Sequence, residues 1–140
     1  VGPSNLRTLL ASFPPYWESA RAITERMIGV GTVDLAAISP INHVDQIQRP
    51  LLLGHGANDP RVKLQESETI AAAMESRGLP IDFVVFPDEG HGLANPRNSL
   101  AMIALVEAFL QEHIGGRAEP FGDALKQSSM EWRLRSLQAP

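Results

Sequence analysis

Residues 50–86 limit what this chain can fold into more than any other stretch. They open with an unbroken apolar run, 51–53, entered through Pro50 and left through Gly54 and Gly56 in "RPLLLGHGAND". A continuous run of this kind suits a strand covered on both faces, as in parallel sheets. The pattern then predicts a helix over about 64–77. Gly78 stands where a left-handed C-cap belongs, and Pro80 lies just beyond. "IDFVVFP", rich in β-branched and aromatic residues, predicts a second strand over 81–86. After a turn, Asn95 is placed to cap a helix that begins at Pro96, runs to about 113 and stops at Gly115-Gly116. Met102, Ile103, Leu105, Val106, Phe109, Leu110 and Ile114 give it a wide apolar stripe, so deep burial is expected. The order is strand, loop, helix, strand, loop, helix, which is the α/β class with a parallel sheet. Two strands are too few for a stable parallel sheet, so further strands are expected outside this chain.

The flanks are less regular. Ser4 is placed to cap a short helix over 5–12, stopped by Pro14-Pro15. A second helix is expected over 16–27, then loop over 29–48 with a helical turn near 35–38. Residues 117–140 are expected to form a partly ordered arm, because Trp132, Leu134 and Leu137 would otherwise leave apolar surface in water. No internal repeat or low-complexity tract is visible. The chain thus divides into a helical segment (1–48), a strand–helix unit (49–116) and a C-terminal arm (117–140) of one partial domain.

Composition removes several functions. A net charge of −4 without a basic patch argues against nucleic acid. The absence of cysteine excludes a disulfide scaffold, a thiolate zinc site and a cysteine nucleophile. It also fits a reducing compartment, so a cytoplasmic location is expected. No apolar run approaches the ~20 residues of a membrane span. "VGPSNLRTLL" shows no basic segment followed by an apolar core, so no secretory leader is expected.

In open α/β sheets, ligands sit beyond the carboxyl ends of the strands. Two ionisable groups fall there. Asp59 follows the first strand in "GHGANDPRV", and His91 follows the second in "PDEGHGL". Adjacent parallel strands bring both loops to one edge. A carboxylate at one imidazole nitrogen fixes the tautomer and leaves the other nitrogen free as a general base. Gly90 and Gly92 permit the sharp turn that lifts the ring into the open. Spacing alone leaves simpler readings open. Asn-Asp-Pro is a common turn former, and a histidine between glycines can be a satisfied loop residue. His55 reads as a structural or pocket-wall residue, and His43 and His113 as surface or helix-end residues. Arg61 and Lys63 read as a solvated loop. His55, Asp59, Asp88 and His91 match no familiar metal-ligand spacing, so neither metal nor cofactor is expected.

Several blocks in fixed order carry a family resemblance: "RPLLLGHGANDPRV", "ESETIAAAM", "LPIDFVVFPDEGHGLANPRN" and "VEAFLQEHIGGRAEP", with "VGPSNLRTLL" and "FPPYW" ahead of them. Together they resemble the C-terminal end of the prolyl-oligopeptidase family of serine peptidases, in its acylaminoacyl-peptidase and dipeptidyl-aminopeptidase branch. The resemblance implies part of an α/β-hydrolase fold, its last two parallel strands with flanking helices. It implies Asp59 as the triad acid and His91 as the triad base. The order Asp before His agrees with the Ser, Asp, His order of that fold. Four parts of the family pattern are not in these residues: the N-terminal β-propeller, the earlier hydrolase strands, the Gly-x-Ser-x-Gly elbow and the oxyanion-hole donors. The loop over 29–37 is also shorter than is usual. "GPSNL" imitates the elbow but lacks its closing glycine and a preceding strand, so Ser4 reads as a cap. The expected function is therefore the C-terminal part of a peptidase acting on short or N-acylated peptides, inactive alone. Its partners would be the peptide and the missing hydrolase segment. The rival expectation is a non-catalytic, self-associating module derived from a hydrolase.

Overall fold

The computed structural model describes residues 2–137. Its elements in order are α1 (Leu6–Ala11), a 3-10 turn (Pro15–Trp17), α2 (Glu18–Ile28), a second 3-10 segment (Pro40–Gln46), β1 (Leu51–Gly56), α3 (Leu64–Glu75), β2 (Ile81–Phe86), α4 (Pro96–Ile114) and β3 (Glu131–Leu134). β1 and β2 run parallel, in register from Leu51 opposite Ile81 to Gly56 opposite Phe86. β3 joins the other side of β2 antiparallel, with a register shift between Phe83 and Val84. The strand order is β1-β2-β3, so β2 is central.

β2 explains most of the packing. All six of its residues are buried. Strand side chains alternate between faces, and here the two faces meet different layers. Ile81, Phe83 and Val85 pack with Ala71 and Met74 of α3 and with Val44 of the second 3-10 segment. Val84 and Phe86 pack with Leu105 and Ala108 of α4 and with Leu137 of the arm. Each such side chain contributes about 1.5–3 kcal/mol on burial. Asp82 shares the second face and is fully buried. Its carboxylate accepts from Ser136 N (2.9 Å), Ser136 Oγ (2.8 Å) and Leu137 N (2.8 Å). These bonds satisfy a buried polar group and tie the arm to the sheet.

The structure corrects several expectations. Among the described residues of the arm, Glu131–Leu134 form a third strand, which the sequence does not announce. "EWRL" alternates outward and inward over only four residues, too few to stand out as a period. Residues 40–46, expected as loop, form a 3-10 segment that carries buried Val44 onto α3. Ser4 does not cap α1. Asn5 does, its side chain accepting from Arg7 N at 3.0 Å. Ser4 N and Oγ instead both donate to Glu66 Oε2 at 2.9 Å. The expected deep burial of α4 holds for one stripe only. Ala101, Leu105 and Ala108 are buried, but Ile103 is 57% exposed and Ile114 77%. A three-stranded sheet covers a narrow face, so the rest of the wide apolar stripe stays in solvent.

Candidate active site

Leaving the sheet, β1 and β2 stay bonded to one another through their loops. Ala57 N donates to Phe86 O (2.9 Å) and Asn58 N to Glu89 O (2.8 Å). Asn58 Nδ2 donates to Pro87 O at 2.8 Å. The two loops approach so closely that Gly56 has no room for a side chain. A Cβ there would lie 2.3 Å from Gly90 O and 2.7 Å from Glu89 O. This contact brings residue 59 and residue 91 to one rim.

Asp59 is 4% exposed. Its Oδ1 accepts from Arg61 N (2.8 Å) and Val62 N (2.9 Å) in the turn that the Asn-Asp-Pro sequence favours. Its Oδ2 lies 2.7 Å from His91 Nδ1. Burial alone pushes the Asp59 carboxyl up. The Val62 N–H, the His91 ring and the Arg61 N–H outweigh burial and hold it below its ordinary value. Asp59 is thus an anion and can only accept, so the proton between the two groups sits on His91 Nδ1. His91 Nε2 has no hydrogen-bond partner among the described residues, and about a third of the side chain is exposed. The ring borders a hollow of about 350 Å³ lined by Gly54, Gly56, Gly90, Gly92, Leu93 and Met102. Of the two glycines beside His91, Gly92 has a left-handed φ of 135°. Gly90 does not; its carbonyl is what crowds Gly56.

The other expected residues take separate places. His55 is 1% exposed. Its Nε2 lies 3.0 Å from Val62 O and its Nδ1 2.7 Å from Ser67 Oγ. A carbonyl can only accept, so Nε2 carries the proton and Nδ1 accepts from the serine. Burial holds this ring below its ordinary pKa, and it is neutral. Its distance of 3.9 Å from Asp59 Oδ2 is therefore not an ion pair. His55 fastens the Asp59 turn to α3, the structural role expected. Arg61 and Lys63 are exposed. His43 bonds to Ala37 O at 2.6 Å, and the His113 ring meets Phe109 edge-on near the end of α4. Asp88 turns toward α4 and the arm. Among the described residues no acidic or histidine side chains gather in threes as metal ligands.

Sequence reasoning missed the residues that brace the histidine loop. Glu89 is 3% exposed. Its carboxylate accepts from Ala94 N (2.8 Å), Asn95 N (2.9 Å) and Asn98 Nδ2 (2.8 Å), closing the loop around His91. Burial pushes Glu89 up, and these donors more than reverse the effect. Asp88 is held below its ordinary value chiefly by the Ser129 hydroxyl and then by Asn98. No local signal marks Asn98: it is the third residue of α4, in the first turn, where a polar residue is ordinary.

The sequence profile of the prolyl oligopeptidase family matches residues 15–117. The chain belongs to the prolyl oligopeptidase family. Dipeptidyl aminopeptidase BIII of Pseudoxanthomonas mexicana is 48% identical over 135 residues, covering 93% of this chain and 20% of that protein. Dipeptidyl peptidase family member 6 of Caenorhabditis elegans is 39% identical, covering 92% and 18%. The chain therefore spans about a fifth of these relatives. A solved structure of acylaminoacyl peptidase in complex with Z-Gly-Gly-Phe-chloromethyl ketone superposes with a TM-score of 0.70 at 22% identity, over 90% of this chain and 21% of that one. A puromycin-hydrolysing peptidase of Mycobacterium tuberculosis gives 0.64 at 24% identity, over 83% and 18%. At such identities the likeness concerns fold, and the fold is part of an α/β-hydrolase domain. Among the described residues no helix is long and apolar enough to cross a membrane.

Proposed function

We propose that this chain supplies the general base and its orienting carboxylate to a serine peptidase acting on short or N-blocked peptides. The observation that carries this reading is the 2.7 Å contact between Asp59 Oδ2 and His91 Nδ1, with Nε2 unpaired among the described residues at the open rim. Asp59 fixes the tautomer that leaves the Nε2 lone pair free. In acyl transfer that lone pair takes the proton of an attacking hydroxyl and later returns it to the leaving amine. The hydroxyl comes from a serine on a segment outside these 140 residues, since no Gly-x-Ser-x-Gly occurs in them. Ser4 is otherwise engaged, its hydroxyl donating to buried Glu66. The peptide preference rests on the relatives, which are dipeptidyl and acylamino-acid peptidases by name.

A fluorophosphonate probe for reactive serines tests the reading. The 140-residue chain alone is expected to stay unlabelled, because base and orienter without nucleophile and oxyanion hole form no acyl-enzyme. Labelling is expected once the elbow-bearing segment of the hydrolase domain is supplied. Stoichiometric labelling of the chain by itself would overturn the proposal.

A second reading, a non-catalytic assembly module, draws on the free edge of β1, which pairs with no strand on its outer side among the described residues. Open edges tend to recruit another strand. A stable dimer by sedimentation, with no serine labelling in any combination, would favour it.

A further inference from the structure

We propose that Asn98, together with Ser128 and Ser129 of the C-terminal arm, forms a positioning set that holds His91 on Asp59. The arm then does more than complete the sheet: it latches the base-bearing loop. The proposal rests on the pairing of Asp59 and His91 read above as the base and its orienter.

Asn98 is 0% exposed, and its amide is fully used. Nδ2 donates one hydrogen to Asp88 Oδ1 (2.9 Å) and the other to Glu89 Oε1 (2.8 Å). Oδ1 accepts from Ser128 Oγ (2.8 Å) and Ser129 N (3.0 Å). The chemistry fixes this orientation. A flipped amide would point its oxygen at two carboxylates and its NH2 at a backbone N–H. The Ser129 hydroxyl also donates to Asp88 Oδ1. One side chain thus joins α4, the acidic pair before His91 and the arm.

These bonds surround the histidine. Glu89 takes its remaining donors from Ala94 and Asn95 on the far side of His91. Its carbonyl accepts from Asn58 N, beside Asp59. Leu93, two residues after His91, packs in the cluster that holds Phe121, Leu125 and Met130 of the arm. Ser99 Oγ donates to Leu93 O at 2.9 Å. His91 is the half-exposed apex of a loop whose two stems are both fastened to α4 and the arm. The Asn98–Glu89 bond is buried and made to a carboxylate, which makes it a strong one, while the Ser129–Asp88 bond closes the exposed side of the set. Glycines on both sides give residue 91 no stiffness of its own, so the brace must come from these contacts.

The arm has a second, separate anchor. Ser136 and Leu137 bind Asp82 in the sheet. This supplies an internal control, since Ser129 and Ser136 each donate a hydroxyl hydrogen to a carboxylate of the same domain. A purely structural arm would feel the Ser136 loss at least as much, since Asp82 is buried and Asp88 exposed. A latch would transmit only the first to His91.

Nitrogen-15 histidine NMR on the 140-residue chain separates these cases through the exchange with water of the proton on His91 Nδ1. In the wild type this proton is expected to be protected. Ser129→Ala is expected to speed its exchange about tenfold or more, the scale of one lost charge-assisted bond. Asn98→Ala is expected to remove it from the spectrum. Ser129→Thr, which keeps the hydroxyl, should restore wild-type exchange, and Ser136→Ala should leave it unchanged. Equal effects of Ser129→Ala and Ser136→Ala would overturn the proposal. So would an unchanged proton in Asn98→Ala with β2 amides still protected. If Asn98→Ala does not fold, the comparison of the two serines decides alone. Asp59→Asn distinguishes this failure from that of the underlying pair. Loss of the protected proton there, with no response to Asn98 or Ser129, refutes only the latch. A proton indifferent to Asp59→Asn refutes the pair, and the latch with it.

Discussion

In β2 every residue is buried, whereas α2, eleven residues long, buries none. Around α2, Tyr16 is 80% exposed, Ile23 60% and Met27 82%. Five of the eleven residues of α2 are hydrophobic against five of six in β2, and only the strand has layers on both faces to receive them. The start of the N-terminal segment, residues 4–8, is instead fastened by one carboxylate. Glu66, at the start of α3, accepts from Ser4 N, Ser4 Oγ, Asn5 N (2.8 Å) and the Thr8 hydroxyl. The unit carrying Asp59 and His91 is thus stabilised by packing on both faces of β2, and residues 4–8 by hydrogen bonds to Glu66, while Val44 joins the segment to the core. Burial is concentrated in the strand whose loop carries His91 to Asp59.

This contrast can be broken by substitution. Phe86→Ala should have the largest effect, about 3–5 kcal/mol, because it empties the end of the central strand; chemical denaturation of the whole chain measures it. Glu66→Ala leaves four donors without their carboxylate, worth about 1–3 kcal/mol. Its loss should appear in hydrogen exchange as fraying of 2–12 while β2 stays protected. Gly56→Ala should cost about 1–3 kcal/mol as overpacking against backbone and pull His91 from Asp59. Gly54→Ala should be milder, since its nearest contact, Met102 Sδ at 2.9 Å, belongs to a flexible side chain. Met27→Ser should fall within about 0.5 kcal/mol, as expected on an exposed helix face.

Acid sharpens the same comparison. Asp59, Asp88 and Glu89 all have folded pKa values below their ordinary ones. The stability they contribute is present above the ordinary carboxylate range, about pH 4, and is lost as pH falls through the lower folded values. Asp59→Asn should flatten the stability curve in that window. Asp34 is also lowered, first by the Ala36 N–H, but it lies on the surface beside Arg7. Its share should fade in salt, and that of the buried Asp59 should not.

Much of the site-bearing unit was legible because its signals are local. An apolar run between Pro and Gly, a left-handed glycine shortly after a helix (Gly78, two residues past the C-cap Ser76) and an Asn-Pro helix start each specify structure within a few residues. They place β1, α3, β2 and α4 close to their observed bounds. The parallel pairing then puts residues 59 and 91 on one rim, and the structure sets them 2.7 Å apart. What was not legible depends on partners distant in sequence. Ser4 reads as a cap until Glu66 is seen beside it. Asn98 gains its place from serines in the arm. β3 exists because β2 has an edge to fill, and the outer stripe of α4 is exposed because the sheet beneath is narrow. Periodicity reports that a face is apolar, not how much of it something covers.

The central claim is that Asp59 orients His91 for proton transfer. Its most direct measurement is the acylation rate of the peptidase assembled from this chain and the segment bearing the nucleophile, compared with the same assembly carrying Asp59→Asn. The account predicts a fall of about 10⁴-fold in rate with KM little changed, because geometry survives while the tautomer is lost. A fall of less than about tenfold, too small for a lost tautomer, would contradict it.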